Sequence, residues 1–235
     1  MYLQSLIALV TATAGVVAVP LQSRAVVAHD SINPFPETVP NSTFNTFEPF
    51  MHIAHGCQVY SAVDGDGNTS GGLQDSGSSD GACKDTSKGQ TYVRAKWFNG
   101  QFGIMYAWYW PKDHPIDGNV AGGHRHDWEN VVVWIDDPAS ATPKLLGAAA
   151  SGHGSYVKTA TPQLEGTRPK VEYFTTFPTN HELQFTDTLG NDLPMILFES
   201  LPQVSQDALQ NTDFGSANVP FKDANFDGNL EKAFI

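Results

Sequence analysis

Apolar residues cluster in short runs through the middle of the chain, and these runs predict a β-rich fold. Residues 91–98 (TYVRAKWF) and 101–110 (QFGIMYAWYW) flank Asn99-Gly100, a dipeptide well suited to a two-residue hairpin turn. Residues 128–135 (WENVVVWI) read as a third strand of the same sheet. Further strands are predicted at 144–150, 171–177 and 195–198.

Helical patterning is confined to two short stretches near the end of the chain, residues 205–210 and 224–234. The sequence contains no internal repeat, no low-complexity linker and no break in composition. We therefore predict a single domain over residues 25–235. Its expected fold is mainly β, an antiparallel β-sandwich with a few peripheral helices.

The first twenty residues have the pattern of an export signal, although no Lys or Arg precedes the apolar run. That run, residues 6–19, has the length of a signal-peptide core and is too short to span a bilayer. We assign residues 1–18 as a signal peptide, and Arg24 could mark the end of a short pro-segment. No later stretch approaches the roughly 18 apolar residues of a transmembrane segment. The expected location is extracellular, with no transmembrane segment.

Cysteine usage agrees with export. The chain has two cysteines, Cys57 and Cys83, which are expected to pair in an oxidising compartment. In the loop-entropy description a ring of this size contributes about 3 kcal/mol. Two sequons, at Asn41 and Asn68, are candidates for glycosylation of an extracellular surface.

The charge balance restricts the partners. The chain has 13 Lys and Arg against 25 Asp and Glu, a formal charge of −12. Such a surface repels nucleic-acid phosphates and anionic lipid faces at long range, so we expect no nucleic-acid partner. Contact with a phosphate-bearing partner has to be local, through a bridging cation or a few well-placed donors.

Chemically active residues concentrate between two predicted strands, in residues 111–129. In an extended chain Asp127 and Glu129 share a face, and His124 shares the other face with His126 unless a turn or bulge intervenes. The segment's three histidines and four carboxylates are His114, His124, His126, Asp113, Asp117, Asp127 and Glu129.

One imidazole with three carboxylates, including Asp113 from the preceding strand, is an oxygen-rich ligand set. It suits Mg²⁺, Ca²⁺ or Mn²⁺ better than zinc. The alternative is that these are solvated loop charges, with His126 as a buried hydrogen-bonding residue. Spacing alone leaves both interpretations open.

Residues 123–129 (GHRHDWE) match, letter for letter, the heptapeptide signature of the necrosis- and ethylene-inducing-peptide-like proteins, secreted toxins of plant-associated microbes. The resemblance continues through residues 63–72, 103–113 and 218–223 and the two cysteines, and so covers nearly all of the chain after its first residues. A single cysteine pair is similar to the type 1 subgroup. Residues 103–113 resemble the family's immunogenic peptide segment, which implies a plant immune receptor as a further partner.

The resemblance implies an actinoporin-like β-sandwich with a divalent cation, Mg²⁺ or Ca²⁺, in an acidic cavity. It also implies binding to the head group of plant glycosyl inositol phosphoryl ceramide and damage to eudicot plasma membranes. By motif, the cation-site residues correspond to Asp113, His124, Asp127 and Glu129, with Asp117 competing for the first position because the interval to the signature is longer than in many members. Residues 177–181 resemble a loop beside the pocket, with Phe where some cytolytic relatives have Trp. This implies ligand-binding roles for Phe177, Asn180 and His181.

Two other function classes remain after the cytolysin, which we expect not to be an enzyme. The first is a non-toxic relative that keeps the fold as a lectin-like binding or recognition protein. The Phe at position 177, where some cytolytic relatives have Trp, supports this interpretation. A metal-dependent hydrolase, with Glu129 or His126 as the base, ranks third.

Overall fold

The structure, a computed structural model, describes residues 24–38, 42–115, 117, 123–176 and 180–235. The strands are β1 (Val26–Val27), β2 (Phe50–Ile53), β3 (Thr69–Ser70), β4 (Thr91–Phe98), β5 (Gln101–Asp113), β6 (His124–Ile135), β7 (Leu145–Gly152), β8 (Ser155–Thr159), β9 (Leu164–Glu165), β10 (Arg168–Thr176), β11 (Asn180–Phe185) and β12 (Met195–Leu197). The α-helices are α1 (Thr43–Phe47), α2 (Gln203–Asn211) and α3 (Asp223–Ala233). The assigned signal peptide, Asn41 and Phe177 lie outside the described residues.

The larger sheet has six strands in the order β12-β4-β5-β6-β7-β8. The predicted hairpin is confirmed, since β4 pairs with β5 up to Phe98 opposite Gln101. Its turn residues Asn99 and Gly100 have φ values of 48° and 84°, the left-handed backbone that a type I′ turn requires. From β4 to β8 every ladder is antiparallel.

The smaller sheet has the order β11-β10-β2, with β9 added to β10. The mainly β class is confirmed, but the expectation of purely antiparallel pairing is wrong at three places. Strand β2 pairs in parallel with β10, β12 pairs in parallel with β4, and β1 with β3. Parallel neighbours need long crossover connections, and all three pairs join strands that are distant along the chain. A local hydrophobic pattern contains no information about such partners.

Two strands beside the candidate chemistry are longer than predicted. Strand β5 continues three residues past 110 to end at Asp113, and β6 begins at His124 rather than at 128. These extensions contain polar residues, so a search for runs of apolar residues did not include them in the predicted strands. Strands β2, β8 and β11 were not predicted either, and the run 195–198 ends as a strand at Leu197. As a result, Asp113 at the end of β5 lies directly opposite His124 at the start of β6.

The two faces of the larger sheet are covered differently. On one face Trp110 stacks on Tyr173 of the smaller sheet, with ring centroids 4.0 Å apart. On the other face Trp128 packs edge-on against Phe221, with centroids 5.7 Å apart. The C-terminal helix lies on this second face, where the Trp134 indole donates to a carbonyl of α3. The larger sheet is therefore buried on both sides, and its strands carry aromatic residues on both faces.

The predicted disulfide is confirmed, since Cys57 and Cys83 are bonded. The sequon residue Asn68 is described and half-buried. Its amide nitrogen donates to Asp64 (2.9 Å) and its amide oxygen accepts from the backbone of Ala25 (3.0 Å). Glycosylation stays a prediction at both sequons.

The helices are short. The two predicted helices are present as α2 and α3, each within two residues of the expected bounds, and α1 was not predicted. Among the described residues, none of the helices has the length and apolar character needed to traverse a bilayer.

Candidate functional site

The predicted cation-site residues meet at one end of the β5–β6 ladder. Asp113 ends β5 and pairs with His124, the first residue of β6, while Trp110 pairs with Asp127. Asp113, His124, Asp127 and Glu129 all line a single cavity of about 430 Å³. Of the two positions that competed on sequence, Asp113 is the one in the cavity. Asp117 is turned to the loop at Ser79, whose backbone N–H it accepts.

The backbone of His126 decides which histidine joins the carboxylates. Its φ of 63° lies in the left-handed region and interrupts the alternation of the strand. Nε2 of His124 therefore lies 3.7 Å from Oδ2 of Asp113, beside the carboxylates, although strict alternation would put His124 and Asp127 on opposite faces. This is the bend that the sequence analysis left open.

The His126 side chain turns to the helical side of the sheet. Its Nδ1 lies 2.7 Å from the hydroxyl of Tyr109, and its ring packs against Phe214. Burial, with the nearby Arg125 charge, lowers the pKa of His126 to about 4. The imidazole is neutral at physiological pH and holds the local backbone in place.

Asp113 is fixed from the smaller sheet. Its Oδ1 lies 2.6 Å from Nδ1 of His181, and its Oδ2 accepts from the His181 backbone at 3.3 Å. The same Oδ2 lies 3.7 Å from Nε2 of His124. Asp113 is 1% exposed, so its carboxylate is buried between two imidazoles.

Asp127 is held by two donors. The hydroxyl of Tyr173 donates to its Oδ2 at 2.7 Å, and the backbone N–H of Trp128 donates to its Oδ1 at 2.9 Å. Tyr173 in turn is the middle ring of a stack, with Trp110 on one side and His181 on the other. The His181 ring lies 4.4 Å from Tyr173 and nearly parallel to it. One rigid aromatic column thus orients both aspartates.

Glu129 lies beside this pair and is bound by the hydroxyl of Ser151, which donates to its Oε2. Burial, and then repulsion from Asp113, raises the pKa of Asp127 to about 6. Burial, and then repulsion from Asp127, raises the pKa of Glu129 well above its ordinary value. Both carboxyl groups are therefore harder to ionise here than in water, and a cation bound beside them would favour their ionised forms.

The ligand set fits a hydrated cation better than a fully protein-ligated one. Among the described residues, no three His, Cys, Asp or Glu side chains come close enough together to hold an ion directly. Mg²⁺ characteristically binds one or two carboxylates and keeps several waters. The carboxylate oxygens of Asp113 and Asp127, with Glu129 and the imidazole of His124 nearby, match that preference.

Two of the three residues assigned by resemblance to the loop beside the pocket are described, and they lie in different surroundings. Asn180 begins β11 opposite Thr176. His181 is 3% exposed, and both of its ring nitrogens have protein partners, Nδ1 with Asp113 and Nε2 with the hydroxyl of Thr175 at 3.2 Å. Its geometry is that of a residue that positions Asp113.

Tyr173 and Ser151 also belong to the site, but their roles were not predicted from the sequence. Both lie in predicted strands or next to one. Packing of the two sheets brings Tyr173 to Asp127, and the β6–β7 ladder brings Ser151 to Glu129. No local signal in the sequence could have identified them.

A further feature connects the disulfide ring to the site. The side chains on either side of Asp113 point away from the cavity, as strand alternation requires. The Lys112 ammonium donates to the carbonyls of Ser76 (3.3 Å) and Ser78 (2.7 Å), and Nε2 of His114 lies 3.1 Å from the carbonyl of Gly77. We call these three contacts the carbonyl clamp. It attaches the loop inside the Cys57–Cys83 ring to the end of β5.

A β-sandwich with a rigid, buried acidic cluster at the end of two long strands is thus the class of protein that the geometry defines. Comparisons with known proteins agree. The profile of the family described as "Necrosis inducing protein (NPP1)" matches residues 41–233. The chain belongs to this family.

Relatives match over nearly the whole chain. "NLP effector protein 10" of Phytophthora capsici is 45% identical over 226 residues, covering 93% of this chain and 95% of the relative. "Necrosis-inducing protein NPP1" of Phytophthora nicotianae is 40% identical, covering 91% and 92% of the two chains.

Solved structures give the same result. One described as "Toxin fold as basis for microbial attack and plant defense" aligns with a TM-score of 0.84 at 47% identity, over 90% of this chain and all of the other. "NLPPya in complex with mannosamine" aligns at 0.83 and 46%, with the same coverage. "Crystal structure of non-toxic HaNLP3 protein" aligns at 0.82 and 40%, over 88% of this chain and 98% of the other.

Proposed function

We propose that this protein is a secreted cytolytic toxin. It binds the sugar head group of plant glycosyl inositol phosphoryl ceramide through a divalent-cation site and damages eudicot plasma membranes. The observation that carries the proposal is the cluster of Asp113, Asp127 and Glu129 in one cavity, where burial and mutual repulsion raise the pKa values of Asp127 and Glu129. Membership in a family of necrosis-inducing effectors supports the biological outcome.

The cation would be held by Asp113 and Asp127, with Glu129 and His124 beside it. A bound Mg²⁺ or Ca²⁺ supplies positive charge and open coordination positions for sugar hydroxyls. The protein's own contribution is preorganisation. Tyr173 and His181 fix the two aspartates, so the site pays little ordering entropy when the cation and sugar bind.

A sugar as the ligand is supported by related proteins. The structures described as NLPPya in complex with mannosamine and with glucosamine show amino sugars bound to a protein 46% and 45% identical to this chain. A protein with a charge of −12 gains nothing from general attraction to anionic lipid, so specific head-group recognition has to bring it to the membrane.

Secretion is part of the proposal. The export-like pattern of residues 1–18 and the disulfide between Cys57 and Cys83 both support an extracellular location. The receptor partner is subject to one constraint. Residues 104–113, within the segment that resembles an immunogenic peptide, are buried in β5. A receptor that reads this segment as a peptide would need the protein to be unfolded or cleaved first.

The test is dye release from vesicles that contain plant glycosyl inositol phosphoryl ceramide, compared with vesicles of phosphatidylcholine alone. We expect leakage from the first only, dependent on Mg²⁺ or Ca²⁺ and stopped by a chelator. Leakage that persists without free divalent cation would contradict the cation mechanism.

A second candidate is a non-toxic member of the family that binds without lysis. One observation favours it, because the protein described as non-toxic HaNLP3 shares the fold as closely as the toxin structures do, with a TM-score of 0.82. Fold alone therefore does not predict toxicity. Binding to the lipid vesicles without dye release would identify this behaviour.

The proposed mechanism includes no covalent step, and we propose that the protein is not an enzyme. The competing hydrolase would release a soluble sugar or phosphate from the lipid. Analysis of the supernatant after incubation with the same vesicles separates the two, since a cytolysin leaves the head group attached.

A further inference from the structure

We propose that the cavity contains a second subsite, on the helical side of the larger sheet, which binds an anionic substituent of the sugar ligand through Lys232. The inference rests on the proposed function, because it assigns another part of the same cavity to the same class of ligand. It names the chemistry of that ligand as a sugar that carries a carboxylate or a phosphate.

The cavity reaches both sides of the sheet because β6 extends past its neighbour. Strand β6 pairs with β7 only from Val131, opposite Ala150. On the β7 side, residues 124–130 of β6 lie beyond the ladder, and the chain turns back at residues 153–154 into β8. The ladder closes with the hydroxyl of Ser151, which accepts from the backbone of Asn130 at 2.8 Å. Past this point the edge of β6 borders open space.

Successive residues of β6 therefore line the cavity from opposite faces. Asp127 faces the smaller sheet, where Tyr173 binds it. Trp128 faces the helical side and packs against Phe221. Asn130 is on the same side as Trp128 and accepts from a hydroxyl of β8. All three line the same cavity.

Helix α3 separates its charges between two faces. Asn225, Asn229 and Lys232, spaced at i, i+4 and i+7, share one face and line the cavity. Asp223 and Asp227 face away and form ion pairs with basic residues of β4, at 2.7 and 2.8 Å. Among the described residues that line the cavity, the carboxylates are those of the acidic cluster, and α3 contributes amides and an ammonium instead.

These polar groups are held in place. The Asn225 amide donates to the carbonyl of Val219, and the Asn229 amide to that of Pro220, both at 2.9 Å. These bonds attach the loop before α3 to the helix and fix the wall of the subsite. The residues of the wall thus have defined positions before any ligand binds.

Lys232 keeps a charge available to a ligand. Its ammonium donates to the carbonyl of Gly154 at 3.2 Å, which is a neutral acceptor. The contact places the ammonium at the β7–β8 turn, beside the open edge of β6. The side-chain amides of Asn225 and Asn229 line the same part of the cavity. An anion bound here would gain a charge-assisted hydrogen bond in a partly enclosed site.

The two ends of the cavity therefore select different groups. The acidic cluster attracts a cation and, through it, hydroxyl groups, and it repels an anion. The Lys232 side offers N–H donors and a positive charge, which favour an acceptor-rich, anionic group. A neutral sugar can satisfy the first end only, whereas an acidic sugar satisfies both and has a defined orientation.

The test compares sugars and variants. We would titrate glucose, glucuronic acid and glucose 6-phosphate into the protein with Mg²⁺ at fixed ionic strength, following binding by NMR. The variants are Lys232→Met and the control Lys144→Met. Both lysines are exposed, but Lys144 directly precedes the first residue of β7 and does not line the cavity. Circular dichroism and Mg²⁺ titration of each variant verify that fold and cation site are intact.

We expect the parent and Lys144→Met to bind at least one acidic sugar about tenfold more tightly than glucose, as one charge-assisted hydrogen bond would give. Lys232→Met should lose that preference while its Mg²⁺ affinity stays unchanged. Which acidic sugar is preferred identifies carboxylate or phosphate as the bound group.

Equal binding of acidic and neutral sugars by the parent, or an unchanged preference in Lys232→Met, would overturn the inference. Failure of the proposed function looks different, because the parent would then not bind Mg²⁺. In that case the same sugar titrations without Mg²⁺ still compare the parent with Lys232→Met, and a preference lost only in that variant would support the subsite by itself.

Discussion

The imidazole of His181 lies 2.6 Å from the carboxylate of Asp113, and this contact joins the two sheets at the candidate cation site. It connects residues 68 positions apart in the chain. The same imidazole stacks on Tyr173, which binds Asp127. The His181 side chain thus helps to fix the positions of both aspartates. The geometry of the site therefore depends on how the two sheets pack together.

Replacing His181 should weaken cation binding more than it weakens the fold. His181→Ala removes the partner of Asp113, and loss of a residue that orients a metal ligand typically reduces metal affinity by about 10–100-fold. Isothermal titration with Mg²⁺, below the unfolding temperature of the variant, measures this. His55→Ala, at an exposed position, is the control. An unchanged Mg²⁺ affinity in a folded His181→Ala protein would refute the positioning role.

Removing the carboxylate of Asp127 should abolish membrane damage without unfolding the protein. In Asp127→Ala the cavity loses one of the two aspartates that we propose hold the cation, and also a buried charge that is costly to keep. We expect loss of dye release with a thermal midpoint at least as high as that of the parent. Asp187→Ala, at an exposed turn, is the matched control. Parental leakage from Asp127→Ala would mean that the cation mechanism is wrong.

Breaking the carbonyl clamp should destabilise the protein and weaken the cation site together. Lys112→Met keeps the length of the side chain but leaves the carbonyls of Ser76 and Ser78 without their charged donor, at a cost of about 2 kcal/mol. Since Lys112 precedes Asp113 directly, we also expect lower Mg²⁺ affinity.

Urea unfolding and Mg²⁺ titration measure the two effects of Lys112→Met. Lys158→Met serves as the comparison, because Lys158 also donates to a backbone carbonyl, that of Phe234, but at an exposed position far from the ring. Lys112→Arg, which keeps the charge, should recover part of both properties. A variant that is as stable as the parent would show that the clamp has no energetic role.

Stability should fall as pH rises because of one buried glutamate away from the site. Burial, opposed in part by the charge of Arg168, raises the pKa of Glu48 from 4.5 to about 8. The folded state therefore holds a proton that the unfolded state releases above pH 4.5. This contribution to stability is present at low pH and is lost as pH rises towards 8.

Glu48→Gln removes the titration while keeping the shape of the side chain. Between pH 5 and pH 8 the free energy of unfolding of the parent should fall by about 3 kcal/mol more than that of Glu48→Gln. Urea denaturation at the two pH values gives the comparison, with the exposed Glu165→Gln as control. Parallel pH profiles for the parent and Glu48→Gln would disprove the effect.

Local pattern predicted the central part of the fold. The β4–β5 hairpin followed from Asn99-Gly100 between two apolar runs, because its turn chemistry and strand alternation act over a few residues. The signature at residues 123–129 indicated, by spacing and by resemblance, three of the four acidic and histidine residues that we propose hold a cation. The disulfide was predicted from the presence of two cysteines in a chain that begins with an export-like pattern.

Tertiary structure decided the rest. The left-handed backbone at His126, which places His124 with the carboxylates, depends on the packing of its ring against Tyr109 and Phe214. Tyr173 reaches the site because the smaller sheet packs against β5 and β6, and Ser151 because β7 pairs with β6. The sequence alone determines which residues are ionisable and which segments form β-strands. The pKa values of Asp127 and Glu129 depend on burial and on distances between residues that are far apart in the chain. The same is true of the side of the cavity that helix α3 lines.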